Sequence, residues 1–308
     1  MLAASSLGAE PPALEPGVPA PEAASPAPST RLTTAVDARV AAARRAAQDV
    51  GVYIADLATG SPVYEQHADR RYIIASNTKL FTTSAALDAL GPGWVQETPF
   101  LARGQRVGDR WVGDLAVLGS GDPNISGRNR QGEPLAIFHE WGERLRKLGV
   151  RRVEGDLYLV HGLFEGPLIH PDWPRDQLTR WYEAPVHALA FNDDCVLVRV
   201  WPSARPGAPP RVELVPDVGI FEIENAARTS SSGRGSVGID RKLGTNVIQV
   251  RGTVPRGPYP VEAWVTVEDP LQYFGAGLLQ ALEDEGIRVD GKTFPADPLP
   301  QGSWRRVA

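Results

Sequence analysis

The chain has 308 residues, 42% hydrophobic and 22% charged, the make-up of a globular protein large enough for two or more domains. A net charge of -5, with no basic stripe along the chain, argues against a nucleic-acid partner. No apolar run approaches the length of a bilayer-spanning helix, and the single cysteine, Cys195, excludes an internal disulfide.

The first thirty residues are rich in Ala, Pro, Ser and Glu, and seven prolines between Pro11 and Pro28 forbid a regular helix. They read as a disordered leader or tether. Met1 to Ala9 lacks the basic start and full apolar stretch of a complete signal peptide. Thr33 or Thr34 caps a helix running to about Gln48, with Val36, Val40, Ala43 and Ala47 on one face. Val52 to Leu57 and Pro62 to Glu65 read as paired strands around the turn Ala58-Thr59-Gly60-Ser61. Tyr72-Ile73-Ile74 then leads into a helix that starts near Ser76, buries Leu80, Phe81, Leu87 and Leu90, and stops at Gly91-Pro92-Gly93.

From Thr98 onward short strands alternate with Gly, Pro and Asp turns. Strands are expected at 100–102, 111–118, 153–160, 195–200, 212–215, 221–225, 236–240, 246–252 and 262–267. Helices are expected at 135–148 and 270–285, with Gly286 as a C-terminal cap and Ile287-Arg288-Val289 as a short strand.

Chemistry enters at Ser76-Asn77-Thr78-Lys79, a Ser-x-x-Lys pattern at a helix start. Only four of the 32 basic residues are lysine, at 79, 147, 242 and 292. Arginine cannot lose its proton near neutral pH and a buried lysine can, so a lysine kept here suits a base. The two side chains lie one turn apart on one face. The helix dipole and N-terminal amides there favour a developing oxyanion. Against this stand two bland facts. Serine is a preferred N-cap, and with 15 serines and four lysines the pattern arises by chance in roughly one such chain in five.

Other motifs fail on context. Gly286 to Thr293 matches the phosphate-loop letters G-x-x-x-x-G-K-T, but a helix precedes it and Pro295, Pro298 and Pro300 follow. His139-Glu140-Trp141-Gly142-Glu143 lacks the second histidine of a zinc helix, and His161, His170 and His187 lack ligand spacing. Gly119-Ser120-Gly121 lacks the upstream glycine of a nucleophile elbow. Cys195 reads as a buried small hydrophobe. No cofactor and no metal are expected.

Ala75-Ser76-Asn77-Thr78-Lys79-Leu80-Phe81-Thr82-Thr83, with Ala85-Ala86-Leu87 and Leu90-Gly91, resembles the active-site helix of D-alanyl-D-alanine carboxypeptidase/endopeptidases. These are low-molecular-mass class C penicillin-binding proteins, related to serine β-lactamases. The likeness continues through Trp111 to Leu115, Gly119 to Pro123, Gly155-Asp156-Leu157, Trp181 to Pro185, Ala188 to Asp193, Asp269-Pro270 and Gly286 to Gly291.

The resemblance implies an α/β fold: a β-lactamase/transpeptidase-like catalytic domain, incomplete in this chain, interrupted by a long, mainly β insertion of two subdomains. It places the first part of the catalytic domain at 31–96. An inner inserted piece falls at 97–121 and 201–308, and an outer one at 122–200. It implies acyl transfer through Ser76, with Lys79 as the base, on peptidoglycan peptides ending in D-Ala-D-Ala. β-Lactams would be covalent inhibitors, and the location would be exported, periplasmic or at the cell envelope. Two departures stand out. Neither Ser-x-Asn nor Lys-[Ser/Thr]-Gly, the family's other two motifs, occurs anywhere, so the chain reads as the N-terminal part of a longer protein. His161 also stands where an acidic residue is expected after the strand ending at Val160. An inactive envelope protein of the same fold, binding cell wall or partners, stays open as the alternative.

Overall fold

The computed structural model describes residues 30–46 and 49–308. The expected leader, and Ala47 and Gln48 of the first expected helix, lie outside the described residues. The chain forms two compact units that divide between Gly93 and Trp94.

In the first unit, α1 (Thr30–Arg44) starts before the expected threonine caps. It buries Val40 and half-buries Val36, but leaves Ala43 exposed. Strands β1 (Val52–Ala55) and β2 (Pro62–Gln66) pair antiparallel. The Asp56 carboxylate accepts from the amides of Ala58 and Thr59, each at 2.9 Å, and closes the turn between them. The Tyr64 hydroxyl donates to Asp37 Oδ1 at 2.8 Å and ties β2 to α1. A 3₁₀ turn at Ala75–Asn77 leads into α2 (Thr78–Leu90), which ends at Gly91 with φ +78°. The apolar face expected to be buried is open: Leu80, Phe81, Leu87 and Leu90 are 66%, 70%, 58% and 50% exposed. Their helical spacing marks a face built for packing, but no residue of α2 is buried in this unit.

The second unit opens with the hairpin β3 (Phe100–Val107) and β4 (Arg110–Leu118). Helix α3 (Ala136–Lys147) and strands β5 (Arg152–Glu154) and β6 (Leu157–Val160) follow. Next come β7 (Cys195–Trp201), β8 (Arg211–Val215), β9 (Glu222–Asn225), β10 (Arg228–Thr229), β11 (Val237–Arg241), β12 (Val247–Val254) and β13 (Val261–Thr266). The chain then forms α4 (Pro270–Asp284), β14 (Arg288–Val289), β15 (Thr293–Ala296) and β16 (Trp304–Arg306).

β4 pairs in parallel with β5 along Arg110–Val112 and with β6 along Leu115–Leu118. Beyond them, β14 and β15 pair in parallel with β5 and β6. At the other edge β16 joins β3 antiparallel. The breaks line up as a row of glycines across four neighbouring strand lines. A Cβ on Gly104 would sit 2.8 Å from Gly113 Cα, and one on Gly155 would sit 2.5 Å from the Gly113 carbonyl carbon. One on Gly291 would meet the Gly155 carbonyl carbon at 2.5 Å. Only glycine allows backbones this close. The residue after each break closes the gap. Asp114 Oδ1 accepts from the Asp156 amide, and Asp156 Oδ1 from the Lys292 amide, both at 2.9 Å.

α3 and α4 pack on this sheet. Phe138, Trp141 and Leu145 of α3 meet Tyr273, Phe274, Leu278 and Leu282 of α4 in a core with Phe100 and Phe191. Phe100 stacks on Trp141 with ring centroids 5.2 Å apart, and Phe138 meets Phe274 edge-on at 4.9 Å. Asp269 caps α4 by accepting from the Gln272 amide. Gly286, at φ +73°, ends it, with the Ile287 amide returning to the Leu282 carbonyl. The phosphate-loop letters therefore cover a helix end and two short strands.

A second core lies between the sheet β13-β7-β8 and the strands β9 to β12. Val196, Val198 and Val200 of β7 face Ile239, Ile248 and Val250 within it. β5 and β6 lie in the sheet of β3 and β4, and α3 packs in the core on that sheet. The separate core belongs to residues 195–266. Non-local strand pairing decides this, and no local pattern reports it. Among the described residues no helix is long and apolar enough to cross a membrane.

Candidate active site

The segment before Ser76 is tied down by one carboxylate. Asp49 accepts from the amide of Val50 at 3.0 Å, from the Tyr72 hydroxyl at 3.0 Å and from Arg70, and it meets His67 Nδ1 at 2.9 Å. Partial desolvation pushes the Asp49 carboxyl up, but the bonds from Tyr72, His67 and Val50 and the Arg70 charge outweigh it and hold it below the usual range. Gly51 makes room for this arrangement, since a Cβ there would lie 2.5 Å from Tyr72 Cε2. Tyr72 is thus pinned four residues before Ser76. The sequence reading missed Asp49, His67, Arg70 and Tyr72, because scattered polar residues carry no spacing signal.

The turn itself is sharp. Ala75 has φ +44°, in the left-handed region where non-glycine residues are uncommon. The 3₁₀ turn that follows puts Ser76 directly ahead of α2. No side chain caps either the turn or α2, so the bland reading of Ser76 as an N-cap falls away. Instead Lys79 Nζ donates to Ser76 Oγ at 3.0 Å. The Lys79 carbonyl accepts from Thr83 Oγ1 at 2.7 Å. A hydroxyl and an amine at this distance can exchange a proton, which is the geometry of a nucleophile and its base. Both Ser76 and Lys79 are exposed in this unit.

The other sequence candidates lie in the second unit. Cys195 is buried, and burial followed by the Asp194 charge pushes its thiol far up, which makes it inert. The ring of His161 stacks on that of His187, 5.6 Å away. His187 Nδ1 accepts from the Leu189 amide at 3.1 Å; burial lowers its pKa, so it is held neutral. Gly119 and Gly121 donate their amides to the carbonyls of Val160 and Ala188, both at 2.8 Å. The Gly119 to Pro123 turn is therefore a structural clamp. Among the described residues no group of three or more His, Cys, Asp or Glu side chains could hold a metal ion.

A family model described as the D-Ala-D-Ala carboxypeptidase 3 (S13) family matches residues 32–302. Over 258 residues the chain is 33% identical to a D-alanyl-D-alanine carboxypeptidase of Actinomadura sp. (strain R39), covering 80% of this chain and 46% of that protein. It is 24% identical over 229 residues to the D-alanyl-D-alanine carboxypeptidase DacB of Haemophilus influenzae, covering 74% and 46%. The chain thus spans about half the length of the curated relatives it matches. The crystal structure of penicillin binding protein 4 (dacB) from Haemophilus influenzae superposes with a TM-score of 0.67 at 21% identity, over 84% of this chain and 55% of that one. The same protein complexed with a novel β-lactam gives 0.62 at 18% identity, over 87% and 57%. These two likenesses establish the shared fold.

Proposed function

The chain belongs to the D-Ala-D-Ala carboxypeptidase 3 (S13) family, and from that premise we propose that Ser76 is the nucleophile of a serine-type D-Ala-D-Ala carboxypeptidase. Its substrates are peptidoglycan peptides ending in D-Ala-D-Ala, in the periplasm or at the cell envelope. The observation that carries this reading is the 3.0 Å contact between Lys79 Nζ and Ser76 Oγ at the start of α2. With Lys79 neutral, the same contact runs the other way and the Ser76 hydroxyl donates to Nζ. Oγ then attacks the carbonyl of the D-Ala-D-Ala bond as Lys79 takes its proton. The proton passes on to the departing D-alanine amine, and water hydrolyses the acyl-enzyme. The Ser76 amide supplies one oxyanion donor. A β-lactam carbonyl would acylate the same oxygen.

On this reading the unit up to Gly93 is the first part of a transpeptidase-like domain, and the unit from Trp94 is its insertion. The open face of α2 is then the surface on which the rest of that domain packs. Ser-x-Asn and Lys-[Ser/Thr]-Gly are absent from the 308 residues. Losing one oxyanion donor alone costs about 100- to 1000-fold in rate, so these residues by themselves turn over D-Ala-D-Ala negligibly. The exposure of both side chains in this unit favours a second reading, an inactive envelope protein of the same fold.

The test is covalent. After prolonged incubation with a penicillin, mass spectrometry finds the adduct on Ser76, and Ser76→Ala abolishes it. An adduct that survives in the alanine variant removes the assignment. So does the absence of any adduct in a polypeptide that also supplies both missing motifs.

A further inference from the structure

A cleft of the second unit has a volume of about 570 Å³, within the roughly 300–1,000 Å³ of small-molecule sites. One wall is the outward face of the sheet β13-β7-β8, where Trp264, Leu197 and Val215 stand side by side in register. Trp181 joins them from a segment stitched to β13 by the Arg180–Val265 bridge. Both indoles are open to solvent, Trp264 at 44% and Trp181 at 64%. Asn192 and Asp193 also line the cleft, from a turn Asn192–Asp194 of three consecutive non-glycine residues with φ of +53°, +57° and +50°. Such a backbone persists only where its surroundings over-determine it. Here the Asn192 side chain donates to the Cys195 carbonyl at 2.8 Å, and the Phe191 amide donates to Asp194 Oδ1 at 3.1 Å.

The charges at the cleft are already matched. Arg128 pairs with Asp193 at 2.6 Å. Arg199 pairs with Glu262 at 2.8 Å and Glu213 at 3.4 Å, and Glu213 also takes Arg211 at 2.9 Å. The wall therefore offers planar carboxylate and guanidinium groups without a net field to attract an ion. Two open indoles beside paired, fixed hydrogen-bonding groups suit a ligand with an apolar C–H face and hydroxyls at its edge. The positive edge of C–H bonds sits on the negative face of an indole, and vicinal hydroxyls match the two-pronged geometry of the ion pairs.

We infer that this cleft binds an uncharged stretch of oligosaccharide, stacked on Trp181 and Trp264. Its source would be the glycan strand that carries the stem peptides, and in this it rests on the proposed reading of Ser76.

The experiment titrates the 308-residue chain with a soluble β-1,4-linked N-acetylglucosamine tetramer, read by tryptophan fluorescence and calorimetry. Saturable binding is expected below about 10 mM. Trp264→Ala and Trp181→Ala each weaken it at least about tenfold, and Asp193→Asn, which changes no packed volume, weakens it too. Trp94→Ala, outside the cleft, leaves it unchanged. No saturable binding, or binding indifferent to both cleft tryptophans, overturns the inference. So does a proline-rich peptide that displaces the sugar and binds more tightly. Ser76→Ala should bind sugar normally, so a penicillin adduct that survives in this variant beside intact sugar binding counts against the Ser76 reading alone.

Discussion

Gly155→Ala tests the glycine row directly. Gly155 lies outside the positive-φ region, so the substitution adds one methyl and no conformational strain. That methyl would lie 2.5 Å from the Gly113 carbonyl carbon and 2.7 Å from Asp114 Oδ1. Carbon atoms rest at about 3.5–4.0 Å, so β4 and the β5–β6 line must part by about 1 Å. The separation strains two bonds beside it, Asp156 amide to Asp114 Oδ1 at 2.9 Å and Leu115 amide to Asp156 carbonyl at 2.8 Å. Overpacking costs about 1–3 kcal/mol, and each weakened buried bond adds about 1 kcal/mol. The total is about 3–5 kcal/mol, which for a unit of this size lowers Tm by about 6–20 °C. Gly238→Ala is the control: it lies on β11 with nothing within 4 Å of the added methyl. It should fall within about 0.5 kcal/mol of the parent or gain slightly. Denaturant titration of both variants, followed by the tryptophans of the second unit, decides the matter. A Gly155→Ala loss below about 1 kcal/mol would refute the claim that backbone approach requires glycine there.

Two further outcomes are expected. Lys79→Arg should impair acylation of Ser76 nearly as much as Lys79→Ala, because arginine keeps its proton; if arginine restores labelling, Lys79 acts only as a positive charge. Burial, reinforced by the Asp193 charge against the Phe191 amide bond, pushes the Asp194 carboxyl to about 8. Between the ordinary carboxylate value of about 4 and pH 8 the folded state keeps a proton that the unfolded state has lost. Stability therefore falls as pH rises through that window, by up to about 1.4 kcal/mol per pH unit. Asp194→Asn keeps the acceptor for Phe191 and removes the proton. It should be more stable at pH 7, with a flatter pH dependence from 5 to 8, and parallel curves would sink this account.

Most secondary structure is legible locally, because local chemistry sets it. The hairpin at 52–66 shows its turn, and the helix at 270–284 shows its Asp-Pro start and Gly stop. The short strands β10, β15 and β16 escape, since two to four residues carry no periodicity and form only because a neighbour offers an edge. The Ser76–Lys79 pair is legible because helical spacing alone brings those side chains together. The Asp49 anchor behind it is not, for its partners are drawn from residues 49 to 72.

The sequence by itself determines the elements, the Ser-x-x-Lys pair and the family likeness, all of which depend on residues a few positions apart. Only the tertiary structure decides what the scattered likenesses do. Gly113, Gly155 and Gly291 prove to be neighbours in one row, and Gly119, Gly121, Val160 and Ala188 one clamp. Strand pairing likewise moves α3, β5 and β6 into the core of β3 and β4, and it leaves Trp181 and Trp264 on one wall. Each of these contacts closes a long loop of chain, and the free energy that closes it comes from burial across the whole unit rather than from any local preference.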